Sequence, residues 1–197
     1  MTRTDAPTDD RARCAWANGS PTMVRYHDEE WGRPAHDDRY LFEMLVLEGA
    51  QAGLSWSTVL NKRENYRAAL DDFAVAKIAE YGQDKLDDLL TDAGIVRNRL
   101  KIASLVKNAR GFLAVREEFG SFDAYLWQWT GGVPVVSRPG PGDPPLPRTE
   151  LSDRISKDLK KRGFTFVGTT ITYAYLQGTG VVDDHAAECW VAAAGTS

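Results

Sequence analysis

Apolar positions recur at helical spacing along most of the chain, and strict alternation is scarce. The pattern predicts an all-α fold of roughly eight to ten helices. The strongest stretch is residues 41–56, LFEMLVLEGAQAGLSW. Leu41, Met44, Leu45 and Ala52 form one face of an amphipathic helix that opens at Asp37 or Asp38 and ends near Ala52. Glu48 falls on that apolar face, where a carboxylate is costly unless something satisfies it. A helix exit follows, with Leu54 in a Gly53-Leu54-Ser55 turn. Such a turn beside a buried acid is how a pocket at a helix end would be written. A carboxylate tied to a backbone amide or an arginine, or an exposed one, is the plainer reading. Ser55 caps a second helix over 55–70. Further helices are predicted at 75–81, at 84–92 with Leu86, Leu89 and Leu90 inward, and at 97–118. Others follow at 121–130, at 152–162 from a Ser152 cap, at 169–177 before Gly178, and at 181–194. Residues 164–168 read as a short β-prone piece. Residues 138–150 hold five of the nine prolines and read as a surface loop.

Residues 1–12 have nothing to bury and read as a disordered tail, and 193–197 read as a C-terminal tail. Residues 13–192 then form a single domain. The chain has 197 residues, 43% of them hydrophobic, enough for a core. A mean hydropathy of −0.39 and the lack of a long apolar run argue against a membrane span. The polar N-terminus is not a signal peptide, so a cytoplasmic monomer is the expectation. Net charge is −4, which argues mildly against nucleic acid. The average conceals a division. Residues 93–116 carry Arg97, Arg99, Lys101, Lys107, Arg110 and Arg116 with no acid, and 151–163 add Lys160 and Lys161. A basic face on an acidic body can still bind a polyanion.

That basic helix follows the tight link Ala93-Gly94-Ile95-Val96. Helix, glycine hairpin, basic helix over about 84–118 is a helix-hairpin-helix pattern. Glycine permits close approach, and free N–H groups at the second helix's start can bind a phosphate. The metal-binding residue types also pair. Cys14 and His27 lie near one end, and His185 and Cys189 lie near the other. Four apart, His185 and Cys189 would share one face of a helix. Two cysteines and two histidines make a tetrahedral zinc set that would clip the chain ends together. Ordinary buried thiols and scattered histidines remain the alternative. His36 reads as a surface residue before a helix.

Several stretches together resemble one family, the type I DNA-3-methyladenine glycosylases of bacterial base-excision repair. They include Arg13-Cys14-x-Trp16, Tyr26-His27-Asp28-x-Glu30-Trp31-Gly32 and Leu47-Glu48-Gly49-x-Gln51-Ala52-Gly53-Leu54-Ser55-Trp56. Lys62-Arg63-Glu64-Asn65-Tyr66-Arg67, Asp92-Ala93-Gly94-Ile95, Lys160-Lys161-Arg162-Gly163-Phe164 and Asp184-His185 continue the set in order. The resemblance implies a helix-hairpin-helix glycosylase whose termini are joined by one structural Zn2+ on Cys14, His27, His185 and Cys189. It implies Glu48 as the acid on the flipped base, with Tyr26 and Trp56 as aromatic walls and Trp16 and Trp31 close by. Leu54, with Gly53, would enter the gap left in the duplex. Met23 stands where the family usually has a second tyrosine, so base affinity or selectivity could differ.

The chemistry this implies is simple. The target must leave the duplex to be read. N3-methylation makes adenine a cation, which suits an aromatic box and a carboxylate. It also makes the base a good leaving group, so a strong general acid is dispensable. No Asp lies between Arg97 and Ser121, and Glu117 and Glu118 read as solvated. No lysine is placed for a Schiff base, so the expected enzyme releases 3-methyladenine from alkylated double-stranded DNA without cutting the strand. Phosphate contacts are expected at Gly94, Arg97, Arg99, Lys160 and Lys161. Two rivals stand beside this reading. One is a non-catalytic zinc-stabilised DNA-binding module. The other is a zinc hydrolase of small molecules, which would need an open metal position.

Overall fold

A computed structural model describes residues 9–140 and 143–194. Residues 1–8 of the expected N-terminal tail, 141–142 of the proline-rich loop and 195–197 of the expected C-terminal tail lie outside the described residues. Helix α2, Asp38–Gln51, is the element the others pack around. Its N-cap Asp37 accepts from the Tyr40 amide at 2.8 Å. Every residue from Leu41 to Ala50 is buried, so the helix is not the amphipathic one its pattern suggested. A helix buried on all sides is a core helix. It carries two buried acids rather than one, because Glu43 is enclosed as well as Glu48. Glu43 is neutralised by Arg63 and Arg67, and Arg63 also donates to Glu30 at 2.7 Å. The remaining charges of such a group must find partners for burial to be tolerated.

A 3-10 turn at Ala15–Gly19 leads into α1, Pro21–Glu29, which Ser20 caps. The helix expected at 55–70 divides at Asn61 and Lys62 into α3, Trp56–Leu60, and α4, Arg63–Ala69. Ser55 caps α3 as expected. Helix α5 is Val75–Ile78, and α6 is Gln83–Thr91 with Leu89 inward. Helix α7, Arg99–Phe119, begins two residues later than expected because Asn98 caps it. Helix α8, Phe122–Trp127, ends in a 3-10 turn, Gln128–Thr130. The core runs from α2 through α7 into α8. Phe112 stacks on Phe122 at 4.1 Å and meets Phe42 at 5.1 Å.

The last third departs most from the pattern. Helix α9, Glu150–Lys161, is capped by Thr149 and not by Ser152, which instead completes a reciprocal capping box. Residues 164–168 form no strand, and Phe164 and Val167 bury against α7 and α9. Helix α10, Thr169–Gly178, packs between α2 and α9. The helix expected at 181–194 is only α11, Trp190–Ala194. Ahead of it, β2 at Val182–Asp183 pairs in parallel with β1 at Val135–Val136. Among the described residues the fold is helical apart from this one short pairing.

Candidate active site

A cleft of about 550 Å3 opens where α1, α2, α3 and α10 meet. Helix α1 supplies Met23 and Tyr26, and its following turn supplies Trp31. Helix α2 supplies Glu48 and Gln51, α3 supplies Trp56, and the first 3-10 turn supplies Trp16. All six residues expected to contact a base therefore line one cavity. Tyr26 and Trp56 have ring centroids 5.1 Å apart, and Trp16 meets Trp31 edge-on at 4.9 Å. The close fit behind them depends on Gly178. A Cβ there would fall 2.7 Å from Met44 Cε and 2.9 Å from the Tyr26 hydroxyl.

Glu48 is 3% exposed, and its Oε2 has no hydrogen-bond partner. Burial alone pushes its pKa up to about 8. Burial, and then the nearby Glu48, push the Tyr26 hydroxyl well above its ordinary value, so it stays protonated. Gln51 Oε1, Asp184 Oδ1 and the Trp56 indole N–H are also buried without partners. Buried polar groups in native proteins are nearly always paired. Here one donor and three acceptors are orphaned around one cleft, which suits a ligand rich in donors or positive charge.

The four sulfur and imidazole side chains converge at the edge of this cleft. The ligating atoms of Cys14, His27 and Cys189 lie within 4.8 Å of one another. His185 stands beside them, its ring 5.0 Å from that of His27, with Nε2 buried and unpartnered. His185 and Cys189 do not share a helix face as expected. They sit in the turn between β2 and α11. Carboxylates orient both imidazoles: Asp28 lies 2.8 Å from His27 Nδ1, and Asp183 lies 2.7 Å from His185 Nδ1. Burial holds His27 below its ordinary pKa and pushes Cys14 up to about 12. Imidazoles whose ring nitrogens are fixed by carboxylates are the usual dress of metal ligands.

Around the cleft mouth, Gly53 takes a positive φ of 78°, and Leu54 is 42% exposed at the tip. Gly94 lets α4 approach, since a Cβ there would come within 3.1 Å of Asn65 Cβ. Its amide donates to Asp92 Oδ1 at 2.7 Å. Asn98 likewise accepts from the Leu100 and Lys101 amides. That leaves the exposed Arg97 and Arg99 side chains as the hairpin's outward cations. Lys160 and Lys161 are exposed but belong elsewhere. The turn after them meets α7 near Lys107 and Gly111, about 12–18 Å along that helix from Arg99.

The sequence profile of the methyladenine glycosylases matches residues 16–192. The chain belongs to the methyladenine glycosylase family. DNA-3-methyladenine glycosylase 1 of Escherichia coli K12 is 45% identical over 177 residues, spanning 90% of this chain and 95% of that protein. The Haemophilus influenzae DNA-3-methyladenine glycosylase is 43% identical, spanning 90% of this chain and 96% of its own. The structure of 3-methyladenine DNA glycosylase I from Staphylococcus aureus superposes with a TM-score of 0.87 at 35% identity. It covers 91% of this chain and 95% of that one.

This methyladenine glycosylase has cleft residues that pattern reading missed. Gln51 follows Glu48 by one helical turn, a spacing that could have found it. Asp184 offered no periodic signal. It is held by Tyr173 and, at 2.7 Å, by the Gln177 amide. The proline-rich loop also walls the cleft, through Pro139, Pro144, Pro145 and Leu146. Glu117 and Glu118 are exposed, as expected.

Proposed function

We propose that this chain binds alkylated double-stranded DNA, flips out 3-methyladenine and hydrolyses its N-glycosidic bond, leaving an abasic site. The observation that carries this reading is Glu48, a buried carboxyl with an unpartnered oxygen in an aromatic cleft. A pKa near 8 keeps it neutral and tolerable while the cleft is empty. A cationic base facing it would favour the carboxylate, so ion-pair strength is released only when the right ligand arrives. Tyr26 and Trp56 add ring faces that attract the same cation. The departing base takes the bonding electrons and loses its charge. Glu48 then loses its counter-ion, which favours product release. Met23 offers a polarisable wall without a hydrogen bond, and Trp16 and Trp31 close the sides.

Helix α6, the Gly94 link and α7 together serve as a helix-hairpin-helix element, with Arg97 and Arg99 as its phosphate contacts. Gly53 and Leu54 form the wedge that fills the gap in the duplex. Lys160 and Lys161 contribute a second, more distant contact. The domain spans 13–192 and acts as a monomer in the cytoplasm on chromosomal DNA. Cys14, His27, His185 and Cys189 would hold one structural Zn2+. The orphaned His185 Nε2 and the two buried free thiols beside His27 fit such an ion, because the buried ring nitrogen has no other partner and the sulfurs have only long contacts, 3.4 Å to the Ala186 amide and 3.5 Å to His27. Bound zinc would supply a closed clip between the chain ends and no reactive water.

The test is release of free 3-methyladenine from methylated duplex DNA, wild type beside Glu48→Gln. We expect release by the wild type and a loss on the order of a hundredfold in the variant. Release that survives the substitution would make Glu48 a packing residue. No release by folded, zinc-loaded protein would leave a DNA-binding module.

A further inference from the structure

Lys101 belongs to the acid-free basic stretch, yet its charge does not face outward. It is half-buried on the first turn of α7, and its Nζ donates to the Ala50 and Ala52 carbonyls, each at 2.7 Å. Those carbonyls close α2. In an unbroken helix the Ala50 carbonyl would accept from the Leu54 amide, but that amide turns back to Gln51 at 2.6 Å. The wedge turn thus frees a carbonyl at the negative end of the helix dipole, and the ammonium satisfies it.

The position matters more than the cap. Ala50 lies two residues beyond Glu48, and Ala52 lies two before Leu54. Lys101 lies two beyond Arg99. On the other flank, Lys62 donates to the Ala93 carbonyl at 2.9 Å and Asn65 to the Gly94 carbonyl at 3.2 Å. The segment 50–65, which carries the wedge and Trp56, is therefore tied to the hairpin at both ends. We propose that Lys101 is a positioning residue that locks the Leu54 wedge and the end of the Glu48 helix to the phosphate-contacting hairpin, so that gripping the backbone sets the depth of the wedge. This inference rests on the DNA glycosylase reading above. A misplacement of about 1 Å at such a joint can cost a hundredfold in rate.

The experiment compares wild type, Lys101→Met and Lys101→Arg. Wedge insertion is read from 2-aminopurine fluorescence beside a tetrahydrofuran abasic analogue in duplex DNA, which requires no base release. Excision is read by single turnover on methylated duplex. Pocket integrity is read by tryptophan quenching with free 3-methyladenine. For Lys101→Met we expect most of the 2-aminopurine signal to vanish and excision to slow by about tenfold or more. Free-base affinity should hold within about twofold, and the salt slope of DNA binding should not change. Lys101→Arg, a longer donor, should restore excision to within about threefold of wild type. Unchanged wedge signal and excision in Lys101→Met would overturn the proposal. So would a salt slope reduced by about one, which marks a phosphate contact, or a parallel loss of free-base binding, which marks general damage. Should Lys101→Met fail to fold by circular dichroism, Lys101→Gln is read by the same criteria. A wild type that inserts its wedge but releases no base would sink the glycosylase reading and leave the lysine's role standing.

Discussion

Glu48 is a buried carboxyl whose cost to the fold can be read from its titration. Its pKa rises on folding from an ordinary 4.5 to about 8. A raised pKa means that the folded state holds the proton more tightly. The associated stability is complete below about pH 4.5 and is lost as pH rises through about 8. The full swing is about 3–5 kcal/mol. Glu48→Gln cannot ionise. Thermal unfolding of the variant should therefore match wild type near pH 5 and exceed it near pH 9, although activity is lost. Parallel stability curves at all pH values would mean that the buried carboxyl already has a partner. Glu48 was legible because it interrupts an apolar face. Glu43, five residues earlier, was not. Its partners Arg63 and Arg67 lie on α4, and no local spacing announces an ion pair between helices.

At the scale of elements, helices α6 and α7 flank the Gly94 link close to the expected bounds, but the amides of that link are not spare. Asp92, Tyr66 and Asn98 take the N–H groups of Gly94, Val96 and the first turn of α7. On the proposed reading, phosphate binding would then fall to the arginine side chains. Arg97→Ala with Arg99→Ala should lower the slope of log affinity against log salt by about two. Binding of free 3-methyladenine should not change, because neither residue lines the cleft. An unchanged slope would move the phosphate contacts away from the hairpin, with Lys160 and Lys161 next in line. The same scale explains the largest misreading. Residues 181–194 carry helical spacing, yet Val182 and Asp183 pair with Val135 and Val136. A two-residue strand has no period to detect, and its partner lies far away in sequence. His185 and Cys189 still converge with Cys14 and His27, but through a turn and a bridge and not through a shared helix face.

Across the whole molecule, the Cys/His cluster does more than end the chain neatly. Cys14 itself borders the base cleft, as do Trp16 two residues on and Ala186 on the C-terminal segment. The Ala186 amide reaches the Cys14 sulfur at 3.4 Å. The segments around Cys14 and Ala186 are therefore both walls of the pocket, and whatever holds the cluster together also holds those walls. Without a cation the cluster leaves two buried free thiols and an unpaired His185 Nε2. Bound zinc would relieve both, and at free zinc about a thousandfold above its dissociation constant it would add about 4 kcal/mol. Chelation should lower the unfolding temperature and weaken binding of free 3-methyladenine. Amide exchange in α7 and α8 should stay slow, because the Phe42–Phe112–Phe122 stack lies in the core and not at the clip. Cys14→Ser should behave the same way without chelator. If catalysis ran on the metal, bond cleavage at saturating substrate would vanish with the ion. A structural clip predicts the opposite: weaker binding and lower stability, with cleavage of bound lesion persisting at low temperature.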